Sequence, residues 1–94
     1  LEIPALRRQI DVVDEQILHL ISERVKLCKA IGAAKKEKGL SIKDSIRENR
    51  VYGHVKEKAA EMGLDPIKVE VIYREIIAMC TNAQKGTRSI EGSS

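Results

Sequence analysis

Aromatic residues are nearly missing from this sequence. It has no tryptophan and no phenylalanine, and its two tyrosines are Tyr52 and Tyr73. A core built from it must be aliphatic, and two tyrosines offer little for stacking on nucleic-acid bases. Cysteine is equally sparse. Cys28 and Cys80 form no CxxC pair and stand at no metal-ligand spacing from His19 or His54, which excludes the common zinc motifs. Both read as free, buried thiols of a cytosolic protein. No apolar run approaches the ~18 residues of a membrane-spanning helix, no signal peptide is visible, and no glycine-rich loop of the phosphate-cradling kind occurs. Strand signals, internal repeats and low-complexity tracts are missing too.

What the sequence does contain is charge and aliphatic periodicity. Its 94 residues suffice for one domain, 33% of them are charged with both signs interspersed, and the formal net charge is +3. That pattern belongs to solvated helix faces. The basic residues alternate with acids, so an anionic small molecule satisfies the weak positive excess and a nucleic-acid groove is not indicated. Residues 1–85 read as one helical domain. Residues 86–94, rich in Gly and Ser, read as a disordered tail of the linker or tag-scar type. A start at Leu1 rather than Met is compatible with trimming ahead of it.

The organising stretch runs from Leu6 to about Lys36. Leu6, Ile10, Val13, Ile17, Leu20, Arg24, Leu27, Ile31 and Ala34 follow in alternating steps of four and three, the seam of a packed amphipathic helix. Eight of these nine positions are apolar. The ninth, Arg24, cannot discharge, and burying it unpaired would cost on the order of several kcal/mol. It either snorkels to solvent or meets an anion inside. About thirty helical residues make a rod of roughly 45 Å, whereas a compact domain of this size has a radius of about 12–13 Å. An apolar seam along so long a rod needs cover from another chain, which predicts an interlocked homodimer, unless the rod breaks into a hairpin near Gly32.

The first helix is expected from Ile3 or Pro4, proline being tolerated in a first turn, to Gly39, a plausible C′ residue. After a connector over residues 40–43, Asp44 or Ser45 caps a second helix, with Ser45 and Glu48 at capping-box spacing. It runs to about Met62, with Val51, Val55, Ala59 and Met62 on one face, and Gly63 stops it. Asp65-Pro66 opens a third helix as N-cap and N1, continuing to about Lys85. Its apolar stripe includes Val69, Ile72, Ile76, Met79 and Ala83, and a neighbouring stripe carries Tyr73, Ile77, Cys80 and Gln84. The fold class is therefore all-α: three helices, one long and two shorter.

Several polar residues sit badly for a purely structural role. Arg24 interrupts the seam, Arg7 lies near the start of the same helix, and Lys35 shares the Arg24 face three turns on. Arg47 and Glu48 open the second helix, and Gln84 ends the third. The set holds cations, one carboxylate and one amide, without a nucleophile–base pair. It suits a dianionic small molecule whose reaction needs positioning and charge stabilisation rather than proton transfer. Each residue also has a bland reading: Lys35 as one of several solvated lysines, Arg47 as a surface residue, Glu48 as half of a capping box. His19 and His54 read as packed or solvated side chains.

Taken in order, Leu6-Arg7, Asp14-Glu15, Leu20-Ile21-Ser22-Glu23-Arg24, Lys35, Asp44-x-x-Arg47-Glu48 and Gln84 resemble the all-helical class of chorismate mutases. The likeness runs from about residue 5 to 85, and its specificity lies in the ordered set rather than in any one motif. The resemblance implies rearrangement of chorismate to prephenate in phenylalanine and tyrosine biosynthesis, in the cytoplasm, with no cofactor and no metal. It implies an intertwined homodimer whose long helix is shared between two sites. Arg24 of one subunit and Arg7 of the other would bind the substrate carboxylates. Lys35 and Gln84 would hydrogen-bond the ether oxygen as its bond breaks, and Lys35 would also touch a carboxylate. Glu48 and the backbone N–H of Asp44 would bind the ring hydroxyl, and Arg47 would help hold the ring carboxylate. Cys80 stands where the family usually has a small hydroxyl or amide residue; a thiol donates weakly, so it is expected to line the pocket and contribute less. Two alternatives stay open: isochorismate-pyruvate lyase, which shares the fold, and a non-enzymatic helical interaction module.

Overall fold

The computed structural model describes residues 2–86. They form three α-helices, α1 (Ile3–Lys38), α2 (Ser45–Glu61) and α3 (Pro66–Gln84), with no strand among the described residues. The tail expected over residues 86–94 lies, beyond Gly86, outside the described residues. No described helix is long and apolar enough to cross a membrane.

Helix α1 runs unbroken through Gly32, so the hairpin alternative is not what forms. It stops where Gly39 takes φ 68°, a left-handed conformation that glycine adopts without a Cβ penalty. There the N–H of Gly39 donates to Lys36 O at 3.2 Å and that of Leu40 to Lys35 O at 2.8 Å. Lys35, Lys36 and Lys38 in the last turn complement the negative helix end. Helix α2 starts at Asp44, whose Oδ1 accepts the Arg47 N–H at 3.0 Å. The capping box from Ser45 is not formed, because Asp44 already serves the orphan amide and Glu48 turns to Lys43 Nζ, 2.9 Å away. Helix α3 is capped by Asp65, which accepts from Ile67 N at 3.0 Å and Lys68 N at 3.4 Å, with Pro66 in its first turn.

Helix α3 packs on both α1 and α2, whereas α1 and α2 do not pack on each other. The buried set is small: Cys28 and Gly32 of α1, Tyr52 and Ala59 of α2, Ile77 and Cys80 of α3. Across the α2–α3 contact, Arg74 lies 4.4 Å over the Tyr52 ring, and Glu70 meets Lys56 at 3.1 Å. The buried face of α2 is thus turned towards Tyr52. Met62, expected on that face, is 71% exposed because the helix ends at Glu61 and the chain swings away into Gly63. On α3, the stripe carrying Ile77 and Cys80 faces inward, and Ile72 and Met79 of the other stripe stay exposed.

The rod's seam is bare. Ile10, Val13, Ile17, Leu20, Leu27 and Ile31 each keep between 47% and 65% of their surface. Monomeric proteins rarely leave so continuous an apolar stripe in water. The radius of gyration is 16.6 Å, against about 12 Å for a compact chain of this length. The longest dimension, 55 Å, is essentially the length of α1 itself, about 54 Å at the usual rise per residue.

Candidate active site

Because α1 and α2 diverge from α3 without meeting, a cavity of about 430 Å³ opens between them. Arg24, Leu27, Cys28, Ile31 and Lys35 line it from α1. Asp44, Arg47, Glu48 and Val51 close it from the start of α2, and Ile77, Cys80, Thr81 and Gln84 from α3, with Ile42 from the connector. Seven of the residues singled out in the sequence therefore converge here: Arg24, Lys35, Asp44, Arg47, Glu48, Cys80 and Gln84. The eighth, Arg7, does not. It is exposed on the bare part of α1, about 25 Å along the helix from Arg24. His19 is exposed, and His54 borders a smaller cavity of about 290 Å³ between α2 and α3 that holds none of the predicted set.

Arg24 does not turn fully out to solvent. It is half-buried, and its Nη1 lies 2.8 Å from Cys80 Sγ and 3.9 Å from Cys28 Sγ. Burial pushes the Cys80 thiol above its ordinary pKa, and a hydrogen bond with Cys28 adds to this, while the Arg24 charge opposes it. The sulfur is thus a neutral thiol at physiological pH. A neutral sulfur is a weak acceptor, so it steadies the guanidinium without neutralising it.

One turn beyond Gly32, Lys35 Nζ donates to Ile42 O at 2.9 Å and to Gln84 Oε1 at 3.3 Å. Lysine only donates, so the amide must present its oxygen here, which leaves Gln84 Nε2 as a donor. Glu48 is held from the connector side by Lys43, and its second oxygen remains an acceptor. Among the described residues no carboxylate lies within ion-pair distance of Arg24, Lys35 or Arg47. The cavity therefore has three unneutralised cations on walls of Leu, Ile and Val, with one carboxylate and one amide. It can hold a compact dianion and place hydrogen-bond donors against a developing negative charge.

Sequence reasoning missed Cys28, Thr81 and the apolar lining, as well as Lys43 beside Glu48. Cys28 was within reach, since it stands one helical turn after Arg24 and so shares its face. Lys43 had no signal, because connector conformation decides whether it meets Glu48.

The chain belongs to the chorismate mutase type II family, whose family model matches residues 6–85. It is 39% identical over 87 residues to a bifunctional chorismate mutase/prephenate dehydratase of Aquifex aeolicus, covering 89% of this chain and 24% of that protein. It is 35% identical over 60 residues to a chorismate mutase of Methanocaldococcus jannaschii, covering 64% of this chain and 61% of the other. Among solved structures, a conserved hypothetical protein from Pyrococcus furiosus superposes with a TM-score of 0.66 at 32% identity, over 86% of this chain and 92% of that one. The chain thus spans about a quarter of the Aquifex relative and about three fifths of the Methanocaldococcus one.

Proposed function

We propose that this protein is a chorismate mutase, an isomerase that converts chorismate to prephenate in aromatic amino acid biosynthesis in the cytoplasm. The observation that carries the reading is the convergence of Arg24, Lys35, Arg47, Glu48 and Gln84 on one cavity in a chain of this family. The reaction is intramolecular. One ether C–O bond breaks as one C–C bond forms; no group leaves and no proton is transferred. The protein has to hold the dianion in a compact conformer and stabilise charge on the ether oxygen.

The residues divide that work. Lys35 has three N–H donors, and two are engaged with Ile42 and Gln84. The third is free for the ether oxygen or a neighbouring carboxylate, and Gln84 Nε2 supplies the second donor to that oxygen. Glu48 accepts from the ring hydroxyl with the oxygen that Lys43 does not hold, assisted by the Asp44 backbone N–H. Arg24 binds one carboxylate in the fork geometry that guanidinium offers. Arg47 holds the ring carboxylate, and Cys80 lines the pocket as a weak donor.

The working unit is an intertwined homodimer. Arg7 is too far along α1 to reach its own chain's cavity. A second copy lying along the exposed seam would cover it and carry its own Arg7 to the pocket around Arg24. Dimerisation and catalysis are then one requirement.

The test is the loss of chorismate absorbance with and without protein, run beside isochorismate. Prephenate formation from chorismate is the expected outcome. Unchanged absorbance, or pyruvate release from isochorismate well above the rate of prephenate formation, overturns the reading.

A further inference from the structure

We propose that Gly32 is a positioning residue for the reaction: the missing side chain at this point of α1 is what seats Gln84 beside Lys35. The inference rests on the mutase reading and deepens it.

Gly32 lies within α1, is buried, and has ordinary helical backbone, so no special φ requires a glycine there. Glycine is the poorest helix former after proline, and its presence inside a 36-residue helix, short of its last turn, calls for a local reason. The reason is contact. A Cβ built at residue 32 would lie 2.5 Å from Gln84 O, 2.7 Å from Gln84 Cα and 3.0 Å from Gln84 C. All three are backbone atoms in the last turn of α3, and no rotamer change relieves such overlaps. The two helices are therefore in close backbone contact at Gly32 and Gln84, and any side chain at 32 drives the end of α3 outward.

What that approach sets is chemical. Lys35 stands three residues after Gly32, on the adjoining turn of the same face, and its Nζ reaches Gln84 Oε1 at 3.3 Å. The pair holds only while the last turn of α3 rests on α1. Gly32 touches none of the reacting atoms; it acts through Gln84. Arg24 lies two turns earlier on α1 and meets Cys80, so displacement at the end of α3 leaves the guanidinium in place.

The experiment is a double-mutant cycle of Gly32→Ala with Gln84→Ala in the full chain, reading kcat, KM and the thermal midpoint. Gln84→Ala keeps the backbone atoms that the new Cβ meets, so Gly32→Ala lowers the thermal midpoint in both backgrounds. Its effect on catalysis differs. With Gln84 present, kcat falls on the order of ten- to a hundredfold, the scale of an ångström's misplacement, while KM stays within about twofold. With Gln84→Ala, the same substitution changes kcat by less than about twofold. Ala83→Gly, which loosens the same turn without adding an atom, is the companion variant should Gly32→Ala not fold: it lowers kcat only where Gln84 is present. Equal kcat losses in both backgrounds, or none in either, overturn the inference and leave the mutase reading standing. A wild-type protein that does not consume chorismate overturns both.

Discussion

Over residues 3–20, α1 has almost no cover from its own chain; over residues 21–38 the same helix buries Cys28 and Gly32 and holds Arg24 and Lys35 against α3. The four-three apolar spacing continues through both halves. The difference lies in what stands beside it. In the second half the positions turned towards α3 are small or polar, so a second helix can come close and leave a cleft along its flank. In the first half they are not, and large aliphatic side chains face water. One periodic seam thus presents two surfaces, one lining a cavity and one bare, on which a second copy of the chain is proposed to lie.

The most damaging changes fall in the second half. Lys35→Ala and Arg24→Ala are each expected to lower kcat/KM by about a hundredfold to a thousandfold, the effect of removing one transition-state donor, while helix content is retained. A folded variant with undiminished turnover would favour an interaction module over an enzyme. Ile17→Lys acts on the other half of α1, adding a charge to the bare seam without touching the cavity. It is expected to weaken self-association by about a hundredfold, because a cation would be carried into an apolar contact, and to lower activity in parallel. Sedimentation and assay at matched concentrations check this; a monomer with full activity would separate the two halves.

Smaller effects sharpen the picture. Glutamine donates its N–H at any pH, so turnover should stay flat from about pH 5 to 8. Gln84→Glu donates only while protonated, so its turnover should fall as pH rises across that range. A steep wild-type profile would count against the Gln84 role. The smallest effect belongs to the α2–α3 contact. A hydrogen bond from Arg74, joined by Lys56, holds the Glu70 carboxyl below its ordinary pKa. A group whose pKa is lowered by folding contributes stability above its unfolded value and loses it as pH falls through the folded one. Glu70→Gln should therefore lower the thermal midpoint slightly at neutral pH and make no difference at pH well below about 4, with activity unaffected.

Much of this was legible in the sequence. The long α1, its end at Gly39, a helix start at Asp44 or Ser45 and the cap at Asp65 follow from local chemistry and spacing, whereas the gathering of polar residues from three helices rested on the family resemblance. Other features were not, for identifiable reasons. Periodicity marks apolar faces without saying which chain covers them, so the inward turn of Ile77 and Cys80, rather than Ile72 and Met79, appears only once α3 is packed. The choice between Asp44 and Ser45 as cap, and the diversion of Glu48 to Lys43, depend on connector geometry. The contact of Arg24 with Cys80 was hidden because the two residues are 56 apart in sequence and meet only across the α1–α3 interface.

In the proposed dimer each site takes Arg24 from one chain and Arg7 from the other. Arg7→Ala and Arg24→Ala proteins, each nearly inactive alone, can be unfolded together and refolded as a mixture. In a mixed dimer one site receives both native arginines and the other neither. Half the dimers are mixed, so the activity predicted is about a quarter of the native value. Mixed dimers that form, as seen by mass spectrometry, yet show no activity above the parent variants would contradict the account.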